Sequence, residues 1–97
     1  MSTADDLARA SRRLYALGWM RGTSGNVSVR DGAEILVTAS GIDKSAVEAS
    51  DAVLIDVRGE ALPGQHRSPS AEARVHAAVI VEAGAEAVVH VHSLAAV

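Results

Sequence analysis

The dipeptide Asp31-Gly32 stands between two short segments of strand character, Val27-Ser28-Val29-Arg30 before it and Ala33 to Thr38 after it. Asp-Gly between such segments favours a two-residue hairpin turn, because the turn needs positive backbone φ angles. An antiparallel strand pair is therefore expected in the middle of the chain. Its side chains alternate in direction, with Ile35 and Val37 on one face and Leu36 on the other.

Helical and strand signals flank the hairpin on both sides. From about Thr3 to Leu17 the apolar residues Leu7, Ala10, Leu14 and Leu17 recur at helical spacing. Ser2 or Thr3 can cap this helix, Asp5 and Asp6 suit the positive end of its dipole, and Gly18 can stop it. After the hairpin, a short helical turn is expected around Ser45 to Ala49, then a strand over Ala52 to Val57. Ser68-Pro69 reads as the cap and first position of a second long helix, whose apolar face is formed by Val75, Ala78 and Val79 and which ends at Gly84. Glu86 to Val91 is the last strand, and Ser93 reads as the cap of a further helix. Helices and strands in this order imply an α/β layer structure with a mixed sheet. The end at Val97, in the opening turns of that helix, leads us to expect a fragment of a longer domain.

Composition narrows the core and the partners. With no Phe, one Trp and one Tyr, the core has to be built from Ala, Val, Leu and Ile. A net charge of −3 and the lack of a Lys/Arg cluster disfavour nucleic acid, whose phosphates demand a basic surface. The absence of cysteine excludes disulfides and thiolate metal sites and is compatible with a reducing cytoplasm. The first six residues are polar and acidic, unlike a signal peptide, and no apolar run reaches the ~20 residues of a membrane span.

His90-Val91-His92 is the sharpest chemical signal. Alternate residues of a strand project to one face, so two imidazoles could bind one cation. The plain alternative is a pair of surface histidines on an edge strand, which the apolar run Ala87-Val88-Val89 argues against. Glu72 and His76 lie four residues apart and share a helix face; Glu72 could be a general acid/base or simply a carboxylate favoured at a helix start. Two loops of small residues, Thr23 to Asn26 and Thr38 to Gly41, offer hydroxyls, backbone N–H groups and glycine, a chemistry suited to phosphate but also common in turns. Ser70 adds a possible donor near a helix start. Lys44, after the second loop, could be a phosphate contact but reads more simply as a solvated charge, and His66 is given no role.

Taken together, four motifs resemble those of the class II aldolase/adducin family. They are Gly22-Thr23-Ser24-Gly25-Asn26-Val27-Ser28, Thr38-Ala39-Ser40-Gly41, Pro69-Ser70-Ala71-Glu72 and His90-Val91-His92-Ser93. The resemblance implies a layered αβα fold with a mixed, largely antiparallel central sheet, of which residues 1–97 would be the N-terminal portion. It implies Zn²⁺ held by His90, His92 and a third histidine beyond Val97. It further implies phosphate binding by Ser24, Gly25, Asn26, Ser40, Gly41 and Ser70. Full-length members are longer and usually tetrameric.

Within the family, Gly18-Trp19, Leu36-Val37-Thr38-Ala39-Ser40-Gly41 with Asp43-Lys44, and Ala71 are most similar to members of methionine salvage. These dehydrate 5-methylthioribulose 1-phosphate to the 2,3-diketo phosphate, with an acid/base glutamate beyond Val97. The alternatives are an aldolase or epimerase acting on fuculose- or ribulose-type phosphates, in which Glu72 would be catalytic, and a non-catalytic adducin-like domain. The expected protein is a cytoplasmic enzyme for a small phosphorylated ketose, with neither nucleic acid nor membrane as partner.

Overall fold

The computed structural model describes residues 3–18 and 25–90. Helix α1 spans Thr3–Ala16, strand β1 Asn26–Asp31 and strand β2 Glu34–Thr38. Two single 3₁₀ turns, Lys44–Ala46 and Ala49–Asp51, lead into strand β3, Ala52–Ile55. Helix α2 spans Ala73–Ala83 and strand β4 Ala87–His90. The four strands form one sheet in the order β3-β2-β1-β4, and every neighbouring pair is antiparallel. The expected mixed sheet is thus antiparallel throughout among the described residues.

The hairpin forms, displaced by one residue. Asp31 pairs with Glu34, leaving Gly32 and Ala33 as the turn. Gly32, with φ 62°, takes the first central position, where positive φ excludes most side chains.

Register explains the two cores. Val29, Leu36 and Leu54 lie abreast across β1, β2 and β3, while Ser28, Val37 and Val53 do so on the opposite face. The first face packs against α1 through Leu7, Val27 and Leu36, bordered by Leu14, Tyr15 and Leu54. The second packs against α2 through Ile35, Val37, Val53, Ile55, Ala77 and Ile80. The result is three layers, α/β/α, with an aliphatic core as composition requires. A fully buried Leu or Ile side chain contributes roughly 1.5–3 kcal/mol, so Leu7, Ile55 and Ile80, all fully buried, are principal contributors.

Four sequence expectations are corrected. First, α2 begins at Ala73, not at Ser68-Pro69, and Glu72 occupies its N-cap position. Pro69 instead forms a β-bridge with Ala39. The flanking bonds run from Ser40 N–H to Ser68 O (2.8 Å) and from Ser70 N–H to Thr38 O (3.0 Å). A bridge of this type asks no N–H of Pro69, so proline fits without loss.

Second, α2 buries Ala73, His76, Ala77 and Ile80, while Val75, Ala78 and Val79 face outward. Third, among the described residues β4 is an edge strand in which Ala87, Val89 and His90 are exposed and only Val88 reaches the α2 core. Fourth, the stripe on α1 is narrower than its periodicity suggests: Leu7 is buried, Ala10 and Leu14 are half-buried, and Leu17 is exposed. Ser11 takes the buried place beside Leu7, returning its hydroxyl to the Leu7 carbonyl at 2.8 Å.

Both helices stop where expected, at glycines of positive φ, 82° at Gly18 and 69° at Gly84. Among the described residues no helix is long and apolar enough to cross a membrane.

Candidate functional site

One end of the sheet collects the polar residues. There β1 begins, β2 and β4 end, and the chain enters α2. A cleft of about 360 Å³ lies at this end, with Asn26, Ser40, Gly41, Ser70, Glu72 and His90 among its lining residues and Gly25 beside them. These come from four separate stretches of sequence. Every expected site residue that the structure describes is in this cleft; Ser24 and His92 lie outside the described residues.

The two serine loops are held together by the Ala39–Pro69 bridge. It consumes the N–H groups of Ser40 and Ser70, so these serines can offer a ligand their hydroxyls but not their amides. Ser70 Oγ accepts the Glu72 N–H at 3.2 Å, which leaves its own hydroxyl proton available. Ser70 is therefore part of the turn preceding α2, not the helix start itself.

His90 pairs across the sheet with Asn26, so their side chains share the face that carries α2. His90 is exposed, as a residue meeting a ligand must be. Among the described residues no three His, Asp or Glu side chains are grouped closely enough to hold a metal.

Glu72 and His76, expected on one face, differ in depth. Glu72 is half-buried in the cleft wall, whereas His76 is only 1% exposed beneath it. The His76 ring is held at both nitrogens: Nδ1 lies 2.5 Å from Ser28 Oγ, and Nε2 meets Asn26 Oδ1. Burial pushes the His76 pKa below its ordinary value, and the neighbouring His90 lowers it further, while Glu72 opposes both. The residue thus favours the neutral ring. Sequence reasoning noted His76 only as a neighbour of Glu72. The missed signal is the polar pair Asn26 and Ser28, two apart in β1 and hence facing the same helix.

Lys44 is a second correction. Expected as a solvated charge, it is 1% exposed, lines the cleft, and donates from Nζ to the Ile42 carbonyl at 3.1 Å. Desolvation lowers its pKa, against the smaller opposing pull of Asp43.

Fold and cleft define a layered α/β domain with its polar site at the strand ends. A family model described as the Class II Aldolase and Adducin N-terminal domain matches residues 5–97, and the chain belongs to that family. A probable bifunctional methylthioribose-1-phosphate isomerase/methylthioribulose-1-phosphate dehydratase of Nocardia farcinica (strain IFM 10152) is 52% identical over 88 residues. That match covers 90% of this chain and 16% of the relative. A methylthioribulose-1-phosphate dehydratase of Exiguobacterium sp. (strain ATCC BAA-1283 / AT1b) is 38% identical over 92 residues, covering 92% of this chain and 45% of the relative. Among solved structures, L-fuculose-1-phosphate aldolase from Thermus thermophilus superposes with a TM-score of 0.79 at 31% identity, covering 93% of this chain and 46% of that one. The chain spans less than half the length of each of these relatives.

Proposed function

We propose that the protein carrying this chain is a hydro-lyase that dehydrates 5-methylthioribulose 1-phosphate to the 2,3-diketo phosphate, and that this chain supplies its phosphate cradle and part of its metal site. The observation that carries this reading is the convergence of Asn26, Ser40, Gly41, Ser70 and His90 on one cleft. The similarity to proteins named methylthioribulose-1-phosphate dehydratase supports the choice of substrate.

Phosphate suits the cleft because it wants several donors at once, and hydroxyls with an amide supply them. The hydroxyls of Ser40 and Ser70 would donate to its oxygens, with Asn26 adding an N–H donor and Gly25 and Gly41 allowing close backbone approach. Holding the phosphate fixes the sugar carbons relative to His90, and positioning of this kind lowers the barrier by removing motional freedom.

The residues fit a divalent metal in kind: His90 is an exposed imidazole facing the cleft, and His92 follows it at the spacing of one strand face. His90 and His92, with a third histidine later in the protein, would hold zinc, which when bound supplies Lewis-acid polarisation of the substrate carbonyl and hydroxyl oxygens. In the dehydration, the proton on C3 is removed by a carboxylate later in the protein. The C4 hydroxyl would take up a proton from that carboxylate and depart as water, and the enol would ketonise. The reading extends to a cytoplasmic homo-oligomer, a tetramer by family resemblance.

The second reading is a sugar-phosphate aldolase, favoured by Glu72, which lines the same cleft and could carry a proton there. Assay of the full-length protein on 5-methylthioribulose 1-phosphate and on fuculose 1-phosphate separates the two. Dehydration that survives Glu72→Gln is the expected result. Carbon–carbon cleavage abolished by Glu72→Gln, with no dehydration, would establish the aldolase instead.

A further inference from the structure

We propose that His76 is a positioning residue that fixes which way the Asn26 amide faces, and so turns Asn26 into a hydrogen-bond donor toward the cleft. The inference rests on the reading of this cleft as an anion site.

The argument begins with what each atom can do. Asn26 Oδ1 can only accept, so the His76 Nε2 facing it has to carry a proton. In a neutral imidazole the other nitrogen, Nδ1, is then an acceptor, and the hydroxyl of Ser28 at 2.5 Å is the group that donates to it. The chain of donors runs one way: Ser28 hydroxyl to His76 ring, His76 ring to Asn26 oxygen. The neutral ring this requires is also the form that burial favours.

The consequence falls on the remaining atom of Asn26. With Oδ1 engaged inward, Nδ2 is left as the polar atom for the cleft, which Asn26 lines. An unrestrained amide can rotate and present oxygen instead, and an oxygen facing a phosphate repels it. Asn26 is 6% exposed, Ser28 fully buried and His76 1% exposed, so water cannot easily substitute for any member of the chain. Ser28 and His76 do not line the cleft, and their hydrogen bonds reach it through Asn26.

The test uses the full-length protein, with inorganic phosphate as the probe. NMR of histidine-labelled protein should show His76 as the neutral form protonated at Nε2; protonation at Nδ1 in the neutral ring would overturn the proposal. Titration calorimetry should find phosphate binding weakened about tenfold by His76→Phe and by Asn26→Ala alike, with the double variant no worse than either. His76→Gln, which keeps a donor, should restore most of the affinity even if His76→Phe does not fold. Additive losses, wild-type affinity in His76→Phe, or no recovery in His76→Gln would each overturn the inference while leaving the anion site standing. Failure of the wild-type protein to bind phosphate would remove the anion-site reading and this inference together.

Discussion

Nδ1 of His76 lies 2.5 Å from the hydroxyl of Ser28, so a helix and a strand are joined by a buried polar bond. A buried donor or acceptor deprived of its partner costs about 1–3 kcal/mol. Ser28→Ala should therefore lower stability by about 1–2 kcal/mol, and His76→Ala by more, since it strips partners from both Ser28 and Asn26 and leaves a cavity. Urea unfolding of the two variants checks the order.

The same histidine makes stability depend on pH. Its folded-state pKa lies below the ordinary 6.5, through burial first and His90 second, with Glu72 opposing. Between the two pKa values the unfolded chain binds more protons than the folded one, so stability falls as the pH drops below about 6.5 and is fully present above it. The urea midpoint should decline between about pH 7.5 and about pH 5.5. His76→Gln should flatten that decline; an unchanged slope would show that other groups carry it.

Gln65 completes the bonding of β3 beside the Ile55–Ala61 bridge. Its side chain accepts from Leu54 N–H at 2.7 Å and donates to the Leu54 and Leu62 carbonyls at 2.9 and 2.8 Å, along the outer edge of β3. Gln65→Ala should cost about 1–2 kcal/mol and raise the tendency to aggregate, because it uncovers strand-edge groups that can template pairing. Denaturation together with light scattering reads both effects.

Two glycines of nearly equal φ separate backbone strain from steric contact. Gly59 has φ 86° and Gly64 has φ 85°. A Cβ at Gly59 would lie 2.7 Å from Arg74 Cα, while one at Gly64 meets nothing within 4 Å. Gly64→Ala should cost about 1 kcal/mol for its left-handed conformation, and Gly59→Ala about 1–3 kcal/mol beyond that. Equal melting temperatures for the two variants would refute the contact argument.

Lys44 is buried with desolvation as the larger influence on its charge. Taking an ammonium out of water costs free energy that an apolar side chain of similar length does not incur, unless the charge is fully partnered. Lys44→Met is expected to keep or raise the melting temperature, and a fall would mean that its polar contacts outweigh the cost of burying it.

The element types and most of their order were legible because they follow from local pattern. Alternation around Asp31-Gly32 defines the hairpin, and glycines at 18 and 84 mark both helix ends. What was illegible depended on contacts between distant residues. Ser68-Pro69 carries a cap signature, but Pro69 is taken up by Ala39, so α2 starts later. The valines of α2 mark a plausible apolar face, yet His76 turns the helix the other way, because Ser28 and Asn26 satisfy its ring only in the interior. Ser40, Ser70, Glu72 and His90 were each recognisable from their motifs, and their meeting in one cleft is a product of the fold. Lys44 defied the general rule that lysine remains in water.

If the cleft is the anion site proposed above, the tie between Ala39 and Pro69 also bears on selectivity. Two segments far apart in sequence become a single rigid rim, so the gap between the Ser40 and Ser70 side chains is dictated by main-chain geometry before any guest arrives. On that reading, a rim tied in this way would resist widening for a bulkier anion and would leave less ordering entropy to lose on capture.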